Sequence, residues 1–363
     1  MLLGAGVGKA CGLPDVTGLQ TEVVQGLCDH RREALERVLK DRTLEQALSR
    51  LRRIAALVEG DDTVDGLTAS AAKDLDGLVC RAIVNALQIG GVAPSGARCL
   101  AAWAARANYS MPLELFTVNY DLLLETALEQ ARATYFDGFV GNIEARFQTE
   151  LVEAAPGADR ETMPPFLIRL WKLHGSLNWK WNDDDELVRI GSPVPEGLVA
   201  AIYPSDAKYE ESRRIPFVVL QDRLRRSLNE PETLVLISGY SFGDDHLNEM
   251  LFDSALRRER SEYVAFCFSE IPDRLAERAS VSPNLQVVTQ REAILGGIRG
   301  KWQAPGEETP FMWDADGFKL CDFNELAGYL ARSPARDYGH GSTPLGVTGG
   351  ATGADTSDGM EPA

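Results

Sequence analysis

The sequence predicts an α/β fold, a Rossmann-like parallel sheet covered by helices on both faces, and three observations carry that prediction. Short apolar, β-branched runs alternate with amphipathic helical stretches between Leu113 and Thr289. Glycine-rich or polar clusters follow the C-terminal ends of those runs, which is where parallel sheets bind ligands. The chain has 363 residues, 44% of them apolar and 25% charged, enough to bury the core of one large domain.

Taken in order, Met1-Leu2-Leu3 reads as a strand running into the glycine-rich loop of Gly4-Ala5-Gly6 and Gly8. Strands usually run about five or six residues, so this one is expected to begin upstream of Met1. A strand-to-loop junction of this kind is where backbone N–H groups meet phosphates, with the dipole of the following helix in support. Its plainer account is a tight strand–helix turn. From about Gly18 to Ala107 the period is helical, with Leu44, Ala47, Leu48, Leu51, Ile54, Ala55 and Val58 on one stripe and Arg50, Arg52 and Arg53 between them as a solvated face. A second stripe, Leu75 to Leu87, stops at Gly90-Gly91, and Pro94-Ser95-Gly96 opens a further Ala-rich helix.

Leu113 to Val118 reads as a buried strand and Leu122 to Ala131 as the helix after Asn119-Tyr120-Asp121. Phe166 to Leu173 is the next strand, closed by His174-Gly175-Ser176, and Asn182 to Asp185 is the turn of a hairpin. Phe217 to Leu228 is an amphipathic helix, Thr233 to Ser238 a strand, Gly239 to Asp244 a loop and His246 to Leu256 a helix; Tyr263 to Phe268 and Leu285 to Thr289 add strands. Residues 1–332 therefore form one domain, with a helical insertion at about 20–108 and a second at about 137–165. Residues 333–363, rich in Gly, Ser and Thr, are expected to be a disordered tail.

A net charge of −17 argues against direct nucleic-acid binding. The six cysteines contain no Cys-x-x-Cys pair, and neither a signal peptide nor a transmembrane run is present, so a reduced, cytoplasmic chain with no membrane contact is expected. Of four histidines, His30 lies in a charged helix and His340 in the tail, which leaves His174 and His246 as acid–base candidates. Asn119 and Asp121 at a strand end can fix a ribose hydroxyl, a water or a carboxamide; alternatively Asp121 is an Asx-type helix cap. Trp171, Trp179 and Trp181 bracket His174 and are expected to be core. Arg213, Arg214, Arg223, Arg225 and Arg226 form a basic patch that is expected to be a solvated helix face, with contact to a partner or to phosphates as the alternative.

Gly4-Ala5-Gly6, Gly12-Leu13-Pro14-Asp15, Thr117-Val118-Asn119-Tyr120-Asp121, Lys172-Leu173-His174-Gly175-Ser176 and Gly239-Tyr240-Ser241-Phe242-Gly243-Asp244 occur in that order. The series resembles the sirtuin family, and within it the SIR2-like NAD-hydrolysing domains of bacterial antiphage defence, over about residues 1 to 330. The resemblance implies NAD as substrate, no metal, His174 as base, Asn119 orienting ribose or water, and Asp121 at the nicotinamide end. Gly4, Ala5, Gly6, Gly12, Pro14, Asp15, Gly175, Ser176, Gly239, Ser241 and Asp244 would bind the dinucleotide, while Asp244 and His246 have the alternative of capping the helix that starts near Asp245.

Protein-deacylating sirtuins carry a Cys-x-x-Cys zinc module after His-Gly-Ser; here no cysteine lies between His174 and Cys267, so no zinc ribbon is expected. Val16-Thr17 and Gly8 also depart from their pattern. The resemblance thus implies an NAD⁺ glycohydrolase with water as acceptor, acting in antiphage defence by NAD depletion. It further implies a homo-oligomer working beside a HerA-type translocase ATPase, an Argonaute or another defence partner, with the Ala-rich helices of 68–107 as a self-packing surface. Two alternatives stay open: a non-catalytic NAD or ADP-ribose sensor, and a protein deacylase or ADP-ribosyltransferase.

Overall fold

The computed structural model describes residues 1–90, 93–107, 109, 111–154, 167–184, 186–191, 200–202, 215–303, 312–315 and 317–332. The expected tail, the whole 155–165 part of the second insertion and Arg213 and Arg214 lie outside the described residues.

The chain opens with β1 (Leu2–Leu3) and α1 (Ala5–Ala10), then α2 (Val16–Gln25), α3 (Asp29–Leu39), α4 (Leu44–Leu57), α5 (Ala69–Ala86) and α6 (Ser95–Ala104). Next come β2 (Leu113–Thr117), α7 (Leu123–Gln130), β3 (Tyr135–Phe136), β4 (Phe139–Val140), β5 (Ala145–Phe147), α8 (Thr149–Glu153), β6 (Ile168–Lys172), β7 (Gly175–Trp181), β8 (Leu187–Arg189) and β9 (Ala200–Ile202). The last part holds α9 (Phe217–Asn229), β10 (Leu234–Ser238), α10 (Asp245–Arg257), β11 (Glu262–Phe266), α11 (Asp273–Val281), β12 (Leu285–Val288), β13 (Glu292–Leu295), β14 (Ile298–Lys301), β15 (Trp313–Asp314), β16 (Gly317–Phe318) and α12 (Phe323–Arg332).

The central sheet runs β14-β13-β12-β11-β10-β1-β2-β6-β3. It is parallel from β12 to β3, and β13 and β14 add an antiparallel edge that the alternation of strands and helices does not reveal. From β1 the chain moves outward on one side through β2 and β6, and later on the other through β10 and β11. The switch point of this doubly wound sheet therefore lies at β1. Both faces are covered, because successive strand residues point to opposite sides. Leu2, Phe116, Trp171 and Ile237 join a core with Phe217, Leu224, Leu247 and Leu251 of α9 and α10. Leu3, Leu115, Ile168 and Leu170 join another with Leu100, Leu124 and Phe323 of α6, α7 and α12.

Helices α2 to α5 enclose a core of their own, including Val23, Leu35, Leu48, Leu51, Leu75 and Ile83, closed by Tyr120 and Leu177. Thr43 starts α4 with a reciprocal capping box to Gln46. Of the Ala-rich helices of 68–107, α6 buries Ala97, Leu100, Ala101 and Ala104 within the chain, in the core shared with α12. Directly after His174, β7 enters a second, antiparallel sheet of order β4-β5-β8-β7-β9, whose β7–β8 hairpin is the one expected from the Asn-Asp turn.

The tryptophans expected in the core are there: Trp171 and Trp179 are fully buried, the latter against Phe139 at 4.8 Å between ring centroids, and Trp181 packs on the same core. The arginine face is corrected. Arg223 is buried and grips Glu114 through both Nε and Nη2, with Trp171 Nε1 at 3.0 Å and Ser227 Oγ at 2.7 Å on the same carboxylate. Helical periodicity placed Arg223 with its basic neighbours, but a buried carboxylate on β2 makes its burial tolerable. Arg225 and Arg226 do stay outside, paired with Asp222.

Candidate active site

Four loops leave the C-terminal ends of β1, β2, β6 and β10 side by side and form one wall of a cleft of about 1080 Å³ that opens to solvent. Ala5, Asn119, Asp121, His174, Ser241 and Asp244 line it from these loops, and Pro14 and Asp15 from the segment before α2. The remaining predicted positions, Gly4, Gly6, Gly12, Gly175, Ser176 and Gly239, are not on the cleft surface.

The first glycines serve the scaffold. A Cβ on Gly4 would lie 2.5 Å from the Gly239 carbonyl oxygen, and one on Gly6 2.7 Å from Gly239 Cα. Gly239 itself has φ +64°, and a Cβ there would come within 2.5 Å of the Val7 nitrogen. The β1 and β10 loops thus cross at backbone contact distance. Their amides are engaged with each other, Gly4 N–H with Ser238 O at 3.1 Å, Gly6 N–H with Gly239 O at 2.8 Å and Val7 N–H with Gly4 O at 2.9 Å. The phosphate-cradle expectation for Gly4 and Gly6 is corrected accordingly, since these N–H groups already have partners. Ser176 is fully buried, its hydroxyl directed at the Tyr120 carbonyl 3.4 Å away. Gly175, at φ +91°, turns the chain from β6 into β7.

The polar groups that do reach the cleft are held rigidly. Asn119 donates from Nδ2 to the Gly4 carbonyl at 3.0 Å, and its amide donates to Thr117 Oγ1 at 3.0 Å. Asp121 accepts from the Leu123 amide at 2.9 Å through Oδ1; the Asx turn read as an alternative exists, and the carboxylate still faces the cleft. Beneath this loop the buried Lys172 ammonium donates to the carbonyls of Tyr120 and Asp121 and pairs with Glu125 at 2.9 Å. Burial raises the Glu125 carboxyl, and the charge and hydrogen bond of Lys172 counter it only in part, leaving it above its ordinary value.

His174 Nε2 lies 3.2 Å from Asp244 Oδ2, both side chains being nearly buried at 13% and 14% exposure. Asp244 also caps α10, its Oδ1 accepting from the amides of His246 at 2.9 Å and Leu247 at 3.1 Å. The two accounts of Asp244 are therefore both realised, one on each oxygen. Burial pushes this carboxyl up, but the hydrogen bond and charge of His174 and the two amides together hold it below the ordinary carboxylate range. His246 is exposed and contributes only its amide. Lys9 and the Gly18 amide likewise hold the Asp15 carboxyl low.

Sequence reasoning missed the other wall. Thr43, Glu45 and Gln46 at the start of α4, with Leu13, Val16, Leu19 and Leu87, face the strand-end loops across the cleft. Thr43 and Gln46 have the spacing of a capping box, an available signal for the helix start, but nothing in the period says that this helix end turns toward the sheet. Also missed was Asn248, fully buried, which donates to the Phe242 carbonyl at 2.7 Å and receives the Tyr240 hydroxyl at 3.1 Å. It braces a loop in which Phe242 adopts φ +57°. A polar residue inside the apolar stripe Leu247, Leu251 was the available signal.

With this geometry in view, the match to a known family model falls where the site is: it covers residues 113–288 and includes Asn119, His174 and Asp244. That stretch matches the model of the SIR2-like domain. SIR2-like domains use NAD, and the match suggests an NAD-related activity in general. No curated protein matches the chain. Among the described residues, no helix is long and apolar enough to cross a membrane and no group of three or more His, Cys, Asp or Glu is arranged to hold a metal ion.

Proposed function

We propose that the SIR2-like domain is an NAD⁺ glycohydrolase that converts NAD⁺ and water to nicotinamide, ADP-ribose and a proton. The observation that carries this reading is the His174–Asp244 pair, 3.2 Å apart, facing the same cleft as Asn119. An imidazole held by a carboxylate is arranged to take a proton, and a module that only senses NAD has no use for that arrangement.

The bond broken joins the nicotinamide nitrogen to the ribose anomeric carbon. Nicotinamide leaves as a neutral molecule from a cationic ring, so the leaving group needs no protonation, and positive charge builds on the ribose in an oxocarbenium-like transition state. Asp15, Glu45, Asp121 and Asp244 bring four carboxylates to the cleft, a field that favours that charge. Asp244 engages Nε2 of His174, which leaves Nδ1 as the nitrogen that takes the proton of the attacking water. Asn119, with Nδ2 tied to Gly4, presents a carboxamide of set orientation to the ribose or the water. Leu13, Val16, Leu19 and Leu87 supply an apolar wall to the cleft.

The test is nicotinamide release from NAD⁺ by the full chain. His174→Ala and Asn119→Ala are each expected to lower turnover by about a hundredfold, and unchanged turnover in both would refute the site. Binding of NAD⁺ with no nicotinamide release under any partner condition would replace the enzyme by a sensor. Resemblance to antiphage SIR2-like proteins supports a role in defence by NAD depletion, with activity restrained through self-association or a partner such as a HerA-type ATPase. Loss of phage protection in cells carrying His174→Ala is the corresponding outcome.

A further inference from the structure

We propose that the arginine stripe of α4 is a phosphate-binding site adjoining the cleft. Arg42, Gln46, Arg50 and Arg53 line a separate pocket of about 510 Å³, and Gln46 lines the main cleft as well, so the two cavities meet at one side chain. Gln46, Arg50 and Arg53 follow one another at four and three residues along one ridge of α4, and Arg42 stands just before its Thr43 cap. Leu44, Ala47, Leu48, Leu51 and Ile54 turn the opposite side into the helical core.

The ridge is organised and carries unbalanced positive charge. Arg42 donates to the Val38 carbonyl at 2.9 Å and the Lys40 carbonyl at 3.4 Å, and Arg50 pairs with Asp65. Asp65 feels Arg50, Arg42 and Arg37 together, one carboxylate against three guanidinium groups. Arg53 is exposed and has no hydrogen-bond or ion-pair partner among the described residues. In a chain of net charge −17 this is a local reversal of sign. Planar guanidinium forks match the oxygens of a phosphate, and several converging on one pocket favour a multiply charged anion.

The neighbouring cleft makes the pocket's role sharper. Among the described residues its lining contains four carboxylates and no Lys or Arg, while the Gly4, Gly6 and Val7 amides are already bonded. Asp15 is paired with Lys9 and Asp244 with His174, so a ligand that bears phosphate finds no free cation among the described residues of that lining and finds guanidinium groups on the far side of Gln46. The phosphate belongs either to the dinucleotide occupying the cleft, in which case the inference rests on the NAD reading above, or to a second small molecule bound beside it.

The experiment titrates the full chain with inorganic pyrophosphate by calorimetry at low ionic strength. Saturable binding is expected, weakened about tenfold or more by Arg53→Glu, since one charge-assisted hydrogen bond is worth that factor. Arg260→Glu, at an exposed arginine paired with Glu232 elsewhere on the surface, is expected to bind as the wild type does. Absence of saturable binding, or equal weakening by both substitutions, overturns the proposal. If the phosphate is the dinucleotide's, pyrophosphate displaces NAD⁺ and Arg53→Glu weakens NAD⁺ binding in parallel. If it is a second molecule's, the two bind together and Arg53→Glu leaves NAD⁺ binding intact. His174→Ala retains pyrophosphate binding in either case, so failure of the hydrolase reading and failure of this one are told apart.

Discussion

Asp244 has two oxygens with two tasks, and a pair of substitutions separates them. Asn at this position keeps an oxygen for the His246 and Leu247 amides and removes the charge that faces His174; Ala removes both. At 3.2 Å and an effective dielectric of about 20, a carboxylate attracts an imidazolium by about 5 kcal/mol. Hydration lost by the two groups offsets part of that, and a remainder of about 2.7 kcal/mol corresponds to a hundredfold in rate. Asp244→Asn is therefore expected to lower kcat for nicotinamide release by about a hundredfold at nearly constant KM and Tm. Asp244→Ala shows the same loss of rate and a further cost of about 1 kcal/mol from the uncapped helix, read as a Tm lower by a few degrees. Turnover of Asp244→Asn within threefold of wild type would refute the orienting role. Equal Tm values for the two variants would refute the cap.

Three further outcomes follow from the surrounding structure. Gly239→Ala puts a Cβ 2.5 Å from the Val7 nitrogen at a φ of +64°, so a loss of more than about 2 kcal/mol in denaturant unfolding is expected, with Gly243→Ala, whose Cβ meets nothing nearer than Ser241 Oγ at 3.4 Å, as the tolerated comparison. Lys172→Met strands the buried Glu125 and is expected to cost about 3–5 kcal/mol. Because the Glu125 carboxyl is already raised and rises further without its ammonium partner, the folded variant takes up a proton more readily than the unfolded chain. Its deficit is expected to shrink as pH falls, and Glu125→Gln is expected to rescue it at neutral pH. Glu114 behaves in the opposite sense: burial raises its carboxyl, but Arg223, Ser227 and Trp171 outweigh burial and hold it below its ordinary value. The stability it contributes is full above the carboxylate range and lost as pH falls through its folded value, so acid unfolding of Arg223→Met is expected to show a flatter pH dependence than wild type.

Much of the fold was legible because its signals are local. Alternation of apolar runs with helical stripes marks β2, α7, β6, α9, β10, α10, β11 and β12 within a residue or two of their ends. The edge strands β13 and β14 are four residues each; β13 buries only Ala293 and Ile294 and β14 is wholly exposed, too little apolar pattern to read as strands. The site was legible where polar residues end strands, at Asn119, Asp121, His174 and Asp244. It was not legible where a side chain's task depends on what lies across from it. Gly4 and Gly6 looked like a phosphate loop, and the structure packs them on Gly239. Arg223 looked like its neighbours, and Glu114 buries it.

The sequence by itself determined the layered α/β architecture, the strand-end positions of the polar clusters and the SIR2-like character of the core, because burial periodicity and turn chemistry act over a few residues. Tertiary structure alone decided that Asp244 meets His174, that α4 closes the cleft and that its arginines stand beside it. Those pairings join residues tens to more than a hundred positions apart, and only the folded sheet with its helical module brings such groups within a few ångströms of each other.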